Sequence, residues 1–270
     1  MKLSYSELND RNDISIDTEG QHVGYLRKFP ISEISQNYST YSLYLDIMTM
    51  TTAGYFERKK KLEEYDVLSI DEKSKLNVFT LLSHDQEYQW MFLAALNFFF
   101  RESVQYDPTA NMYITYEVKD GEPKAIGAIT YTMWGEISEM IAQMNHVSIE
   151  MDEQDLSKAA DERTKKVMEK LRKGRKALKK AREKTNGARM ELGNLTSIIA
   201  TFVNGYNYMN VYDLTVFQLY DTYNRFLMGD VYEINRMAVS VWGDKEKKFD
   251  LYARQENLTV DKNENKVGES

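Results

Sequence analysis

Few residues in this 270-residue chain combine the types and the spacing that catalysis requires. Asp107 is followed ten residues later by Glu117 and then by Lys119. This acidic-x-lysine arrangement is typical of restriction-type nucleases, in which carboxylates hold a divalent cation and the lysine polarises the phosphate or the attacking water. Such a site needs a sheltered pocket, whereas Glu117 and Lys119 fall beside an Asp-Gly turn. We keep a metal-dependent nuclease as an alternative function.

Other catalytic or metal-binding patterns are missing from the sequence. His84 and Glu87 could supply two ligands from one helical face, but a metal site needs at least a third, and none is indicated. The chain has no cysteine, which excludes disulfides, thiolate metal sites and a cysteine nucleophile. It also lacks the GxSxG, Walker A and GxGxxG patterns. We therefore predict a protein that is not an enzyme and has no metal and no cofactor.

One segment carries most of the positive charge. From Lys158 to Lys184 the sequence has 13 Lys or Arg against 4 Asp or Glu, a net of +9, so the other residues must carry −16 to reach the total of −7. We predict a basic bridging helix over 151–192 that is solvated between two domains. Its cations could also bind an acidic protein or a phosphate backbone, but no aromatic residue is available for stacking on bases. The basic positions singled out are Lys165, Lys166, Arg172, Lys173, Arg175, Lys176, Lys179 and Lys180.

Hydrophobic spacing gives the fold class. Helical spacing covers 32–64 and 72–103, the second with a predicted break near Ser83–His84. Alternation over 112–118 with a return at 124–129 predicts an antiparallel hairpin. We predict a mainly α protein with a small antiparallel β-hairpin. Its parts are an N-terminal α+β domain over 1–150, the basic bridging helix, a C-terminal helical domain over 193–249 and a flexible tail over 250–270.

The C-terminal domain is predicted to contain a helix that begins with a capping box. Thr215 and Gln218 have the spacing of that motif, Gly229 is predicted to end the helix, and Asp230 with Glu233 to start another. A helix-turn-helix DNA reader would need several basic side chains on this second helix, but it offers only Arg236. DNA reading is therefore disfavoured.

Aromatic residues are unusually dense between 202 and 242. A small helical unit has little interior, so part of this aromatic surface should be exposed, and exposed Tyr and Trp are typical of protein interfaces. The alternative is that these residues pack on the N-terminal domain. We predict a partner-binding surface formed by Tyr212, Phe217, Tyr220, Tyr223 and Trp242.

The same region resembles a known group of proteins. The segment is NLTSIIATFVNGYNYMNVYDLTVFQLYDTYNRF, followed by VSVWGDKEKKFDLYARQ, and its most distinctive part is the run from Val211 to Asp221. It is similar to the C-terminal region of proteins encoded among the tail genes of phages that infect Gram-positive bacteria. A weaker similarity in LNFFFRESVQYD and IGAITYTMWGEISEMIAQMN extends the resemblance over most of residues 70–255.

The resemblance implies a role in phage morphogenesis, similar to that of tail assembly chaperones, which keep the tape-measure protein soluble while the tail tube polymerises around it. The main alternative function within this phage setting is that of a virion structural component. The implied partners are tape-measure or tail proteins, with a homo-oligomer as a further option. No run approaches the roughly 20 apolar residues of a membrane span, so we expect the cytoplasm of the bacterial host.

Overall fold

A computed structural model describes residues 2–18, 20–119, 121–147, 191–244 and 249–250. The basic segment, with all eight cations singled out above, lies outside the described residues, and so does 251–270 of the predicted tail. Within the described residues the protein is mainly α with two small antiparallel sheets, which confirms the predicted fold class.

The N-terminal part begins with helix α1 (Tyr5–Asn9) and the hairpin β1 (Ile14–Thr18) and β2 (Gln21–Leu26). The stretch predicted as helical over 32–64 divides into separate helices. In the stretch predicted over 72–103, the predicted break near Ser83–His84 is confirmed, because one helix ends at His84. Ser103, at the end of that stretch, begins a strand that the sequence did not predict. The helices are α2 (Ile31–Gln36), α3 (Tyr38–Met48), α4 (Thr52–Arg58), α5 (Leu62–Asp66), α6 (Ile70–Lys75), α7 (Val78–His84) and α8 (Gln89–Phe99).

The second sheet has three strands in the order β3 (Ser103–Asp107), β4 (Met112–Lys119) and β5 (Glu122–Ile129). The predicted hairpin corresponds to β4 and β5, and β3 is the addition. The sheet lies against β2, where a Cβ on Gly127 would come 2.5 Å from the backbone oxygen of His22. Only glycine permits this close approach of two backbones. Thr115 supports the approach because its hydroxyl donates to the Val23 carbonyl.

Three helices complete the described part: α9 (Tyr131–Met144), α10 (Leu192–Phe202) and α11 (Val216–Trp242), with a short 3-10 turn at Val211–Asp213. The Thr215 side chain accepts from the Gln218 backbone N–H and the Gln218 side chain accepts from the Thr215 backbone N–H, which confirms the predicted capping box. The predicted helix end at Gly229 is wrong, because α11 continues through it. A helical glycine costs about 1 kcal/mol, which the rest of a 27-residue helix outweighs.

One hydrophobic core joins the chain on both sides of 148–190. Phe92, Leu96 and Phe99 of α8 are fully buried at its centre. Buried side chains of the C-terminal part belong to the same cluster: Leu195, Ile199, Val211, Leu214, Val216, Phe217 and Leu219. The backbone is joined too, since the Ile31 N–H donates to the Leu214 carbonyl at 2.8 Å. The first turns of α11 are thus part of the same core as the N-terminal elements.

Candidate protein-binding surface

The residues of the nuclease pattern are not brought together. Asp107 ends β3 opposite Met112, and Glu117 lies five residues farther along β4, roughly 17 Å away at the rise of a strand. The Asp107 carboxylate accepts from the Thr109 backbone N–H at 2.9 Å, as in an Asx turn. Glu117 and Lys119 form an exposed ion pair at 3.0 Å. This separation leaves no shared pocket for the three side chains.

The second candidate pair, His84 and Glu87, does not lie on one helical face. His84 is the last residue of α7, and Glu87 follows in the turn before α8, where its carboxylate pairs with Lys59 at 2.6 Å. Over the part of the chain that the structure describes, no group of three His, Asp or Glu side chains is placed to hold a metal ion. In the same residues no helix is long and apolar enough to cross a membrane.

Four of the five predicted partner-binding aromatics pack on the core. Phe217 is 4% exposed and meets the Tyr5 ring edge-on, with the centroids 6.1 Å apart. Tyr212, Tyr220 and Tyr223 are partly buried against the same cluster. Phe217, Tyr220 and Tyr223 therefore hold α11 against the rest of the protein, and Tyr212 packs from the 3-10 turn before it. An isolated chain does not present Phe217 to a partner.

Tyr220 has a specific neighbour in this packing. Its ring stacks on the imidazole of His146, with the centroids 4.6 Å apart and an angle of 14° between the planes. His146 follows α9 with a positive φ of 54°, a conformation that costs a non-glycine residue energy. Burial lowers the pKa of His146, and the nearby Asp221 carboxylate opposes that shift. Burial between α9 and α11 thus favours the neutral imidazole over the charged one.

The fifth predicted residue, Trp242, is 78% exposed at the end of α11. It belongs to a larger set of exposed apolar side chains on the last four turns of this helix, which we call the apolar stripe. Its members are Leu227, Val231, Ile234, Met237, Ala238, Val241 and Trp242. The sequence reasoning missed the stripe because the predicted break at Gly229 divided it. Its signal, apolar residues four and three apart, was present in the sequence.

A second exposed apolar cluster is formed by the last residue of α10 and the loop that leads to α11. We call it the aromatic loop and define it by Phe202, Tyr208 and Met209, of which Met209 is 89% exposed. The Phe202 ring stacks on Phe226 of α11 at 6.5 Å. Tyr208 shares a hydrogen bond with the Ser197 hydroxyl at 3.0 Å. Phe202 and Tyr208 belong to the aromatic-dense stretch 202–242, but neither is among the residues predicted to bind a partner.

Hydrogen bonds within the aromatic loop fix its backbone. The Asn207 N–H donates to the Asn210 side chain at 2.8 Å, and the Met209 N–H donates to the Asn207 side chain at 2.8 Å. The Asn210 amide in turn donates to the Gly205 carbonyl at 3.0 Å. Asparagine side chains commonly replace backbone partners in turns of this kind. The loop is therefore ordered before any partner arrives.

A family model matches part of the chain. The family model for the YomV second domain matches residues 179–255, a range that contains α10, the aromatic loop and α11. That family is phage-derived, its namesake being a Bacillus prophage protein, and the match fits a phage-associated protein. No curated protein and no solved structure matches the chain. Both exposed apolar surfaces thus lie in the segment that has the phage-derived match.

Proposed function

We propose that the protein is a phage morphogenesis protein that binds another phage protein in the host cytoplasm, as a tail assembly chaperone binds the tape-measure protein. One observation carries the proposal. Within the segment that matches the phage-derived family, the aromatic loop exposes three large apolar side chains together: Phe202 is 65% exposed, Tyr208 58% and Met209 89%. Concentrated apolar surface of this kind marks interaction sites.

We assign the phage partner to the aromatic loop. Its backbone is already ordered, so that binding would cost little conformational entropy. Aromatic side chains are common anchors of interfaces, and the flexible Met209 side chain can adapt to apolar surfaces of different shape. A tape-measure protein, as a long helical polypeptide, would present many similar but unequal apolar stripes. An ordered loop with two aromatic rings and a methionine suits such a partner.

The proposal is tested by expressing the tape-measure protein of the same phage with and without this protein and measuring its soluble fraction. We expect the full chain to keep it soluble and the double variant Phe202→Ser, Met209→Ser to lose this effect. Truncation of an anchor typically costs about 2 kcal/mol or more, roughly 30-fold in Kd. Phe202 stacks on Phe226 but is 65% exposed, and Met209 is 89% exposed, so the melting temperature of the variant should fall only slightly.

The matched control is Val67→Ser, since Val67 is 83% exposed but lies outside the segment that matches the family. It should protect the tape-measure protein as well as the parent does. If the tape-measure protein is equally soluble without this protein, the chaperone role is wrong. If the protein described here is found in purified virions, a virion structural component is favoured instead. DNA binding by this protein that falls steeply with salt would favour the nucleic-acid alternative.

A further inference from the structure

The apolar stripe continues the buried face of α11 beyond the body of the protein. Ile234 lies 18 residues after Val216, which is five turns of an α-helix, so both side chains project in the same direction. The same spacing relates Ala238 to Tyr220 and Val241 to Tyr223. The first half of this face is covered by the core, whereas Ile234 is 62% exposed. We propose that a second copy of the chain covers the stripe, forming an antiparallel two-helix dimer. This surface is separate from the aromatic loop, so the inference does not rest on the proposed function.

The spacing within the stripe suits another helix. Leu227, Val231, Ile234, Ala238 and Val241 follow one another at intervals of four and three residues. This is the repeat of a seam between two helices, in which side chains of one helix fill the spaces between side chains of the other. A helix of the same sequence offers matching large and small positions. Self-pairing of one patch is also the commonest form of soluble oligomer.

The area of the stripe is sufficient for a dimer. Its six large side chains are 41–78% exposed. They present roughly 600 Å² of apolar surface, at the upper end of the largest patch on a typical monomer and near the roughly 800 Å² that each partner buries in a standard interface. A patch of that size on one helix can bury most of its apolar area only against a surface of similar length. The stripe of a second copy has that length.

Charge does not oppose the association. Among residues 227–242 only Asp230, Glu233 and Arg236 are charged. Glu233 and Arg236 form an ion pair at 2.6 Å, and neither belongs to the stripe. Asp230 borders it, and in the antiparallel arrangement it would lie near Met237 of the second copy, an uncharged side chain. Within residues 227–242 the dimer thus brings no like charges together, although the whole chain carries −7.

The body, meaning the part of the protein that covers the first turns of α11, decides whether the two α11 helices of the dimer run parallel or antiparallel. The elements that cover Val216 and Phe217 lie on the side toward which the stripe also faces. In a parallel dimer the first half of each α11 would collide with the body of the other copy. In an antiparallel dimer each body lies beyond the end of the other helix. In the register that opposes Val231 to Ile234 of the second copy, Leu227 meets Ala238, and Trp242 reaches Tyr223 at the edge of the body.

The test is the molar mass of the full chain in solution, measured by light scattering during size-exclusion chromatography at micromolar concentration. We expect a dimer for the parent. Ile234→Asp should give a monomer, because it would bury an unpaired carboxylate at the centre of the seam. The control Ser240→Asp adds the same charge to the same helix outside the stripe and should leave the dimer intact. Circular dichroism should show that both variants are folded and have the same helical content as the parent.

The orientation is tested by cysteine pairs, for which the cysteine-free chain gives no background. Val231→Cys mixed with Ile234→Cys should form a disulfide-linked heterodimer on mild oxidation in preference to either homodimer. A monomeric parent, or a dimer that persists in folded Ile234→Asp, would overturn the proposal. Preferential cross-linking of Ala238→Cys to itself would show a parallel pair and overturn the antiparallel arrangement.

Discussion

In the first turns of α11, Val216, Phe217 and Leu219 are at most 4% exposed, whereas Ile234, Val241 and Trp242 in its last turns are more than 60% exposed. Both halves present apolar side chains on one continuous face of the same helix. The two halves differ in what lies opposite that face. Helices α1, α9 and α10 cover the first half, and the described residues place nothing comparable over the second.

Because of this difference, the first half of α11 stabilises the fold and the second half is available to bind another molecule. An apolar side chain contributes to folding only when other parts of the chain remove it from water. In the first half this condition is met within one molecule, so those residues stabilise the fold. In the second half it can be met only by another molecule, so the same residue types become a binding surface. Residue type alone does not distinguish the two roles.

The largest expected contrast is between two truncations. Phe217→Ala should lower the free energy of unfolding by about 3–5 kcal/mol, because it removes a buried ring and leaves a cavity. Ile234→Ala, measured in dilute solution, should change it by less than about 0.5 kcal/mol, as is usual for exposed positions. Urea unfolding of both variants gives these values. Equal destabilisation would mean that the second half is buried within the monomer.

A smaller effect should follow from pH. Because burial lowers the pKa of His146, protonation favours the unfolded chain, in which histidine has a pKa of about 6.5. The stability associated with the neutral imidazole should therefore be present above pH 6.5 and be lost as pH falls below it. Between pH 7 and pH 5 the parent should lose more stability than His146→Asn, a residue that also tolerates the positive φ.

This loss of stability should be measurable in the first half of α11, where Tyr220 stacks on His146. Hydrogen exchange corrected for the intrinsic pH effect would follow each half separately. Amides of residues 217–224 should lose protection between pH 7 and pH 5, and those of 231–241 should not. An equal loss in both halves would show that they open as one unit.

The smallest effect is expected at Gly229, where the covered and the exposed halves of α11 meet. A Cβ on Gly229 would meet nothing within 4 Å, so Gly229→Ala should favour the helix by about 1 kcal/mol. Since the second half can open without disrupting the core, the gain should appear as slower amide exchange at 230–241 and leave the melting temperature almost unchanged. The control is Gly135→Ala in α9, where Cβ is equally free but the helix packs in the core. There the melting temperature should rise.

Local signals in the sequence were sufficient to predict some elements of the fold. The capping box at Thr215 and Gln218 was predicted correctly because it depends on two residues three apart. Strand β3 and the continuity of α11 through Gly229 were not predicted. Ser103–Asp107 is short and pairs with a strand already recognised. Gly229 has a weak helix-breaking tendency that the rest of the helix overrides.

For the candidate site, the sequence by itself determined that aromatic residues concentrate between 202 and 242. From this density we predicted an exposed aromatic surface, with packing on the N-terminal domain as the alternative, because so short a stretch holds more such residues than it can bury alone. The sequence did not determine which residues are exposed. Tertiary structure decided that Phe217, Tyr220 and Tyr223 face the core whereas Trp242, Met209 and Ile234 face solvent. The reason is that burial depends on which distant elements lie opposite a given turn, and periodicity along one helix contains no information about them.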